Sequence, residues 1–184
     1  MRSILLLALV ATPLAAQRPQ TREGFWISFG LGYGSAGISC DQCGTTNRQS
    51  SFTSYLRLGG TLNPRVLLGG DIVGWTKSSS GTATTLGTVT ASALFYPQPA
   101  SGFFLKGGVG FAVYDETDGQ KVDGAGVGVI VGAGYDIRVG RNISLTAFGD
   151  FLIGSVGELQ SSGSTVATGW KENLFHFGLG VTFH

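Results

Sequence analysis

From Phe25 to Phe183, apolar side chains recur at every second position, a period that fits a β-strand with two unlike faces and does not fit an amphipathic helix. In the first segment Phe25, Ile27, Phe29, Leu31 and Tyr33 share one parity, while Trp26, Ser28, Gly30, Gly32 and Gly34 share the other. The stripe recurs in Phe52/Leu56/Leu58, Val66/Leu68/Ile72, Val89/Ala91/Ala93/Phe95 and Phe103/Leu105/Val109/Phe111/Val113. It continues in Val127/Val129/Val131/Ala133/Tyr135, Leu145/Ala147/Phe151/Ile153 and Phe175/Phe177/Leu179/Val181/Phe183. That makes about eight strands, the smallest number usual for a membrane barrel. With 31 Gly and no capped stretch of helical period, the chain is expected to be all-β.

Period alone does not say whether the apolar stripe faces lipid or fills the inside of a soluble, lipocalin-like barrel. The charges decide. Arg57, Asp71, Lys106 and Asp150 lie mid-strand, each on the parity opposite its strand's apolar stripe, an arrangement that chance would give in about one case in 16. A water-facing surface would carry far more charge than a chain with 12% Asp, Glu, Lys and Arg provides. A lumen needs a few charges that pair with one another, so these four are read as an interior ion network with His176 beside it, of structural role. Aromatic residues of outward parity fall into two sets at opposite strand ends: Phe25, Phe95, Phe103, Tyr135 and Phe183 at one, and Tyr33, Phe52 and Phe175 at the other. Two such belts mark the two interfaces of a bilayer. The expected fold is an eight-stranded antiparallel up-and-down transmembrane β-barrel.

The connections alternate in length. Asn63-Pro64, Pro97 to Ser101 and Arg138 to Asn142 are compact turn clusters, expected on the periplasmic side. Residues 35–51, 77–81, 115–124 and 155–171 are rich in Ser, Thr, Gly and charge, and are expected to be longer polar loops on the outside, with 35–51 and 155–171 the candidates for binding an unknown surface ligand.

The N-terminus fixes the compartment. Arg2 gives a positive start, Ile4 to Ala11 an apolar stretch too short to span a membrane as a helix, and Pro13-Leu14-Ala15-Ala16 a cleavage region, so residues 1–16 read as a secretory signal peptide and 17–184 as the barrel domain. Leu14 is larger than the residue preferred there, and could move the cut by a residue or two. A net charge of +1 without a Lys/Arg cluster argues against nucleic acid as a partner, and no cofactor or metal is expected.

The C-terminal run His176-Phe177-Gly178-Leu179-Gly180-Val181-Thr182-Phe183 resembles the β-signal of outer-membrane proteins, with His176, Gly178, Val181 and Phe183 at its marked positions. Together with the stripes, it makes the chain similar to the small outer-membrane barrels that include OmpA and OmpX. That resemblance implies location in the cell outer membrane, insertion by the outer-membrane assembly machinery, and contact with outer-membrane lipids and lipopolysaccharide. The chain departs from the pattern by ending in His184 after the aromatic, and no peptidoglycan-binding domain is expected after the barrel.

Four features carry chemistry on paper. Cys40-Asp41-Gln42-Cys43 has CxxC spacing; in an oxidising compartment, without a βαβ unit or further cysteines, a loop disulfide is favoured over redox catalysis or zinc. Gly32-Tyr33-Gly34-Ser35-Ala36-Gly37 spells a dinucleotide fingerprint, yet no helix follows to hold a pyrophosphate. Asp115, Glu116, Asp118 and Asp123 could hold a divalent cation, but their spacing is not that of a calcium loop, and a solvated acidic segment is favoured. His176 could be the base of a lipid A modifying barrel, an activity found in barrels that resemble this one. The chain offers no G-x-S-x-G to accompany it, so a satisfied interior histidine is favoured and an enzyme is not expected.

Overall fold

A computed structural model describes residues 22–184 except 42, 43, 46, 80 and 119, and the side chains of 44, 45, 118 and 120 are not described. The proposed signal peptide, Cys43 and the side chain of Asp118 therefore lie outside the described residues.

Eight long strands follow one another: β1 (Phe25–Cys40), β3 (Gln49–Asn63), β4 (Val66–Ser79), β5 (Thr82–Phe95), β6 (Phe103–Asp118), β7 (Gln120–Arg138), β8 (Ile143–Ser161) and β9 (Ser164–Phe183). A two-residue strand, β2 (Gly44–Thr45), folds back on the end of β1. Each long strand pairs antiparallel with its neighbour in sequence, and β9 also pairs with β1, from Ile27 opposite Phe183 to Ser39 opposite Lys171. The sheet thereby closes, and no long strand is left with an open edge along the barrel wall.

The parity read from the sequence is the parity of the barrel. Leu31, Phe52, Val109, Phe111, Val127, Val129 and Leu179 stand exposed on the outside, while Arg57, Asp71, Lys106 and Asp150 are buried inside. A soluble barrel would have the reverse arrangement. A continuous exterior of Leu, Val, Ile and Phe is stable only against hydrocarbon, because water would leave far more apolar surface uncovered than a soluble monomer carries. The barrel is a membrane-spanning one, and the alternative of a soluble periplasmic binding barrel does not hold.

The outer connections correct the expectation from composition. Residues 155–161 and 164–171 are not loop but paired strand, as are most of 35–51 and 115–124 and, in 77–81, Lys77 to Ser79. The strands run 14–20 residues, where about 9–11 suffice to cross a bilayer. The surplus continues outward as stiff hairpins. The hairpin β8–β9 turns on Ser162 and Gly163 alone, at φ 51° and 80°. Two successive left-handed residues make the type I′ turn whose twist matches that of the strands it joins. Ser, Thr, Gly and charge dominate these segments, which resembles loop composition, yet nothing in them opposes pairing once the barrel below sets the register.

Candidate functional site

The interior is filled from end to end, in three layers. At the periplasmic end Trp26, Leu67, Leu94, Tyr96 and Phe104 pack together. Over Tyr96 lies the guanidinium of Arg22, 3.5 Å from the ring centroid, its two terminal nitrogens donating to the carbonyls of Pro99 and Ser101 at 2.9 Å each. Tyr96 donates to Asp136 at 2.8 Å, Thr146 donates to the same carboxylate at 2.6 Å, and the hydroxyls of Thr146, Thr182, Ser28 and Tyr55 continue the chain at 2.6, 2.8 and 3.0 Å. The imidazole of His184 is buried 3.7 Å from Asp136, so the residue that departs from the β-signal pattern closes this end of the barrel.

The middle layer brings together the charged residues singled out in the sequence. Arg57 donates to Asp71 at 3.1 Å and to Asp150 at 2.7 Å, and Lys106 reaches Asp71 at 2.6 Å and Asp150 at 2.7 Å. Two cations thus meet two carboxylates in a closed four-membered ring. The guanidinium also lies 4.1 Å from the centroid of Tyr55, with Phe148 packed edge-on against that ring. Such charges persist away from water only when each is compensated. His176 stands at the outer side of the ring, its Nδ1 3.3 Å from the Thr53 hydroxyl, its Nε2 3.4 Å from Asp150 and its ring against Phe148. It is wholly buried.

The outer layer is aromatic and aliphatic: Val73, Trp75, Leu86, Tyr114, Leu152, Val156, Leu159 and Leu174, with Trp170, Ile38 and Val122 against them. Within it sits Glu172, which the sequence reading passed over. Three residues beyond the Phe175 girdle it is 5% exposed, and its Oε2 has no hydrogen-bond partner among the described residues. Burial alone pushes its carboxyl up to about 8. A water-sized void of about 10 Å³ lies beside it, with Thr88 on the far wall. On β6, Tyr114 donates to Glu116 at 2.6 Å, and burial with that bond raises the phenol above its usual range.

The remaining predicted sites are dispersed. Cys40 is disulfide-bonded at the top of β1. Gly32 and Gly34 are ordinary strand positions facing the lumen, where a Cβ would meet the backbone of Phe177 and the side chain of His176. The acidic segment is split between faces: Asp115 and Asp123 point outward beside Lys121, at 3.0 and 3.8 Å, while Glu116 turns inward. Among the described residues no group of three His, Cys, Asp or Glu is placed to hold a metal. Gly178 and Gly180 of the C-terminal motif lie where β9 closes on β1, Gly180 making room for the Tyr55 hydroxyl and Gly178 for the backbone of Leu31. Val181 and Phe183 face lipid on the same strand, opposite Phe29 and Ile27. Asp136, Thr146 and Thr182 were legible in principle, because each has inward parity on its strand; Arg22 lies before the first strand and carries no such signal.

No protein-family model matches the sequence, and no curated protein matches it. Solved structures do resemble the fold. Neisserial surface protein A superposes with a TM-score of 0.56 at 17% identity, over 89% of this chain and 98% of that one. Ail, the attachment invasion locus protein of Yersinia pestis, gives 0.55 at 16% identity, over 88% and 99%. OprG of Pseudomonas aeruginosa gives 0.51 at 13% identity, over 91% and 100%. The likeness extends over nearly the whole of each, and with the outward apolar band it gives this chain the fold of the small eight-stranded outer-membrane barrels of the OmpA and OmpX type.

Proposed function

We propose that the protein is a structural surface barrel that presents polar hairpins outside the cell, at residues 35–51 and 155–171, to a binding partner, and that it is neither a diffusion pore nor an enzyme. The observation that carries this reading is the filled lumen: an aromatic plug at each end and a compensated charge ring between them. A conduction path would have to unpack one of the plugs and break ion pairs that are completely shielded from water. Purified protein in planar bilayers should show no unitary conductance steps, and a stable open level would contradict the reading. Lipid A incubated with the protein should keep its mass, since the His176 imidazole is wholly buried.

The hairpins are suited to display. Their backbone is hydrogen-bonded, so presenting a surface costs little ordering entropy on contact. An epitope inserted between Ser162 and Gly163 should be recognised on intact cells; recognition only after permeabilisation would contradict the orientation. Export by cleavage after Ala16, delivery by the assembly machinery through the β9 motif, and contact with outer-membrane lipids and lipopolysaccharide belong to the same reading. N-terminal sequencing of the mature protein should begin at Gln17.

A further inference from the structure

One stretch of the outer wall is built differently from the rest. Arg48, at the approach to β3, lays its side chain flat across the exterior of β1 and β9. Its Nε donates to the Ser35 hydroxyl at 3.0 Å, and its two terminal nitrogens donate to the Ser35 carbonyl and to Asn173 Oδ1. The guanidinium lies over Gly37, where a Cβ would approach Nη1 to 2.9 Å and Asn173 Oδ1 to 3.1 Å, so the bare wall at this position is what admits it. Lys171 projects from the same face of β9, two residues beyond Asn173, and pairs with Ser39. Neither cation makes a salt bridge among the described residues; Asp41 sits farther out, against Gly169. On the β6–β7 wall, by contrast, Lys121 is held between Asp115 and Asp123.

The height of this pair says what it meets. Tyr33, Phe52 and Phe175 form the outer girdle directly below, Phe175 pairing with Ser35. Asn173 and Lys171 stand two and four residues above Phe175, or roughly 5 and 10 Å after allowing for strand tilt. The headgroup zone of a bilayer occupies about 5–7 Å beyond the hydrocarbon on each side, so Asn173 stands at its level and Lys171 just above it, within reach of its long side chain. Three N–H groups of Arg48 are spent on the wall and two remain, which suits bidentate bonding to a phosphate.

From this we infer that Arg48 and Lys171 form a phosphate clasp for the glycolipid of the outer leaflet, with the guanidinium and the ammonium binding a phosphate of lipid A while its acyl chains lie along Phe175, Phe177 and Leu179. The inference rests on the outer-membrane reading and gives it a specific lipid contact.

The test uses the full folded barrel in detergent micelles, with its fold checked by heat-modifiable migration, titrated with bisphosphorylated lipid A, with lipid A lacking both phosphates, and with inorganic phosphate. Wild type should prefer the bisphosphorylated lipid by about tenfold or more, since each basic group near an anionic headgroup is worth roughly a factor of five, and inorganic phosphate should not compete at millimolar concentration. The double variant R48Q/K171Q should lose that preference. G37L, which keeps both charges but displaces the guanidinium from its bed, should weaken binding several-fold, and K121Q should bind as wild type. Equal binding of the two lipids by wild type, an undiminished preference in R48Q/K171Q, or an equal loss in K121Q would overturn the clasp. Loss of lipid preference with the Ser162–Gly163 epitope still displayed on cells would leave the surface-barrel reading standing, so the two fail separately.

Discussion

In the middle of the lumen Arg57, Lys106, Asp71 and Asp150 are completely buried and bonded to one another, whereas at the mouth Glu172 is almost as buried and makes no salt bridge among the described residues. Both regions remove ionisable groups from water, and they do so by different physics. The ring keeps its charges and compensates them in place. The mouth makes charge costly, so that Glu172 holds its proton into the neutral range. The difference follows from position: the middle layer is surrounded by lipid on every side and has no water to draw on, while the mouth stands above the girdle, within reach of solvent through the hairpins.

The largest expected effect tests the compensated side of that contrast. Asp150→Ala leaves both Arg57 and Lys106 with a single carboxylate between them, and unfolding in lipid vesicles should show a loss of about 3–5 kcal/mol. Glu172→Ala removes a group with no ionic partner and should cost far less. If the two variants are equally damaging, the ring is not what holds the middle of the barrel.

Next in size is the outer face. Val129→Arg places a cation against the hydrocarbon midplane and should cost about 2–4 kcal/mol, while Val166→Arg, on the projecting hairpin, should be nearly neutral. The ratio of the two measures where the bilayer ends along the strands.

The protonation of Glu172 sharpens the mouth. Its folded value of about 8 exceeds the ordinary 4.5, so between these limits the unfolded chain has released a proton that the folded chain still holds. Stability therefore falls as pH rises through that window and levels off above it. Thermal unfolding of Glu172→Gln should lack this slope; an unchanged slope would place the titration elsewhere. The smallest effect belongs to the exposed wall, where Lys121→Gln should leave stability unaltered, since a solvated pair is screened.

How much of this was legible depends on what each segment faces. Where lipid lies on one side and a packed lumen on the other, as along Val127 to Tyr135, the two environments write alternate letters and the sequence shows both faces. That is why the inward parity of Arg57, Asp71, Lys106 and Asp150 is legible in the sequence alone. Beyond the girdle the outward face turns polar while Val156, Leu159 and Trp170 still pack inward, irregular register between Ser155 and Gln160 breaks the alternation, and strands such as Ser164 to Trp170 look like loop. Which acid meets which base was not legible, because it depends on the stagger between β3, β4, β6 and β8, which places Asp150 across the lumen from Arg57. Nor were Arg22 and Arg48, whose roles arise from segments outside the repeating pattern folding back onto the wall.

The central claim is that hydrocarbon touches one face of every strand and that the scarce charges occupy the other. Nitroxide labels placed singly from Val127 to Val131 in reconstituted protein measure this directly. Collisions with oxygen dissolved in lipid should be high at 127, 129 and 131 and low at 128 and 130, with a water-soluble nickel chelate reaching none of the five. A nickel chelate that reaches 127, 129 and 131, or accessibility without alternation, would contradict the account.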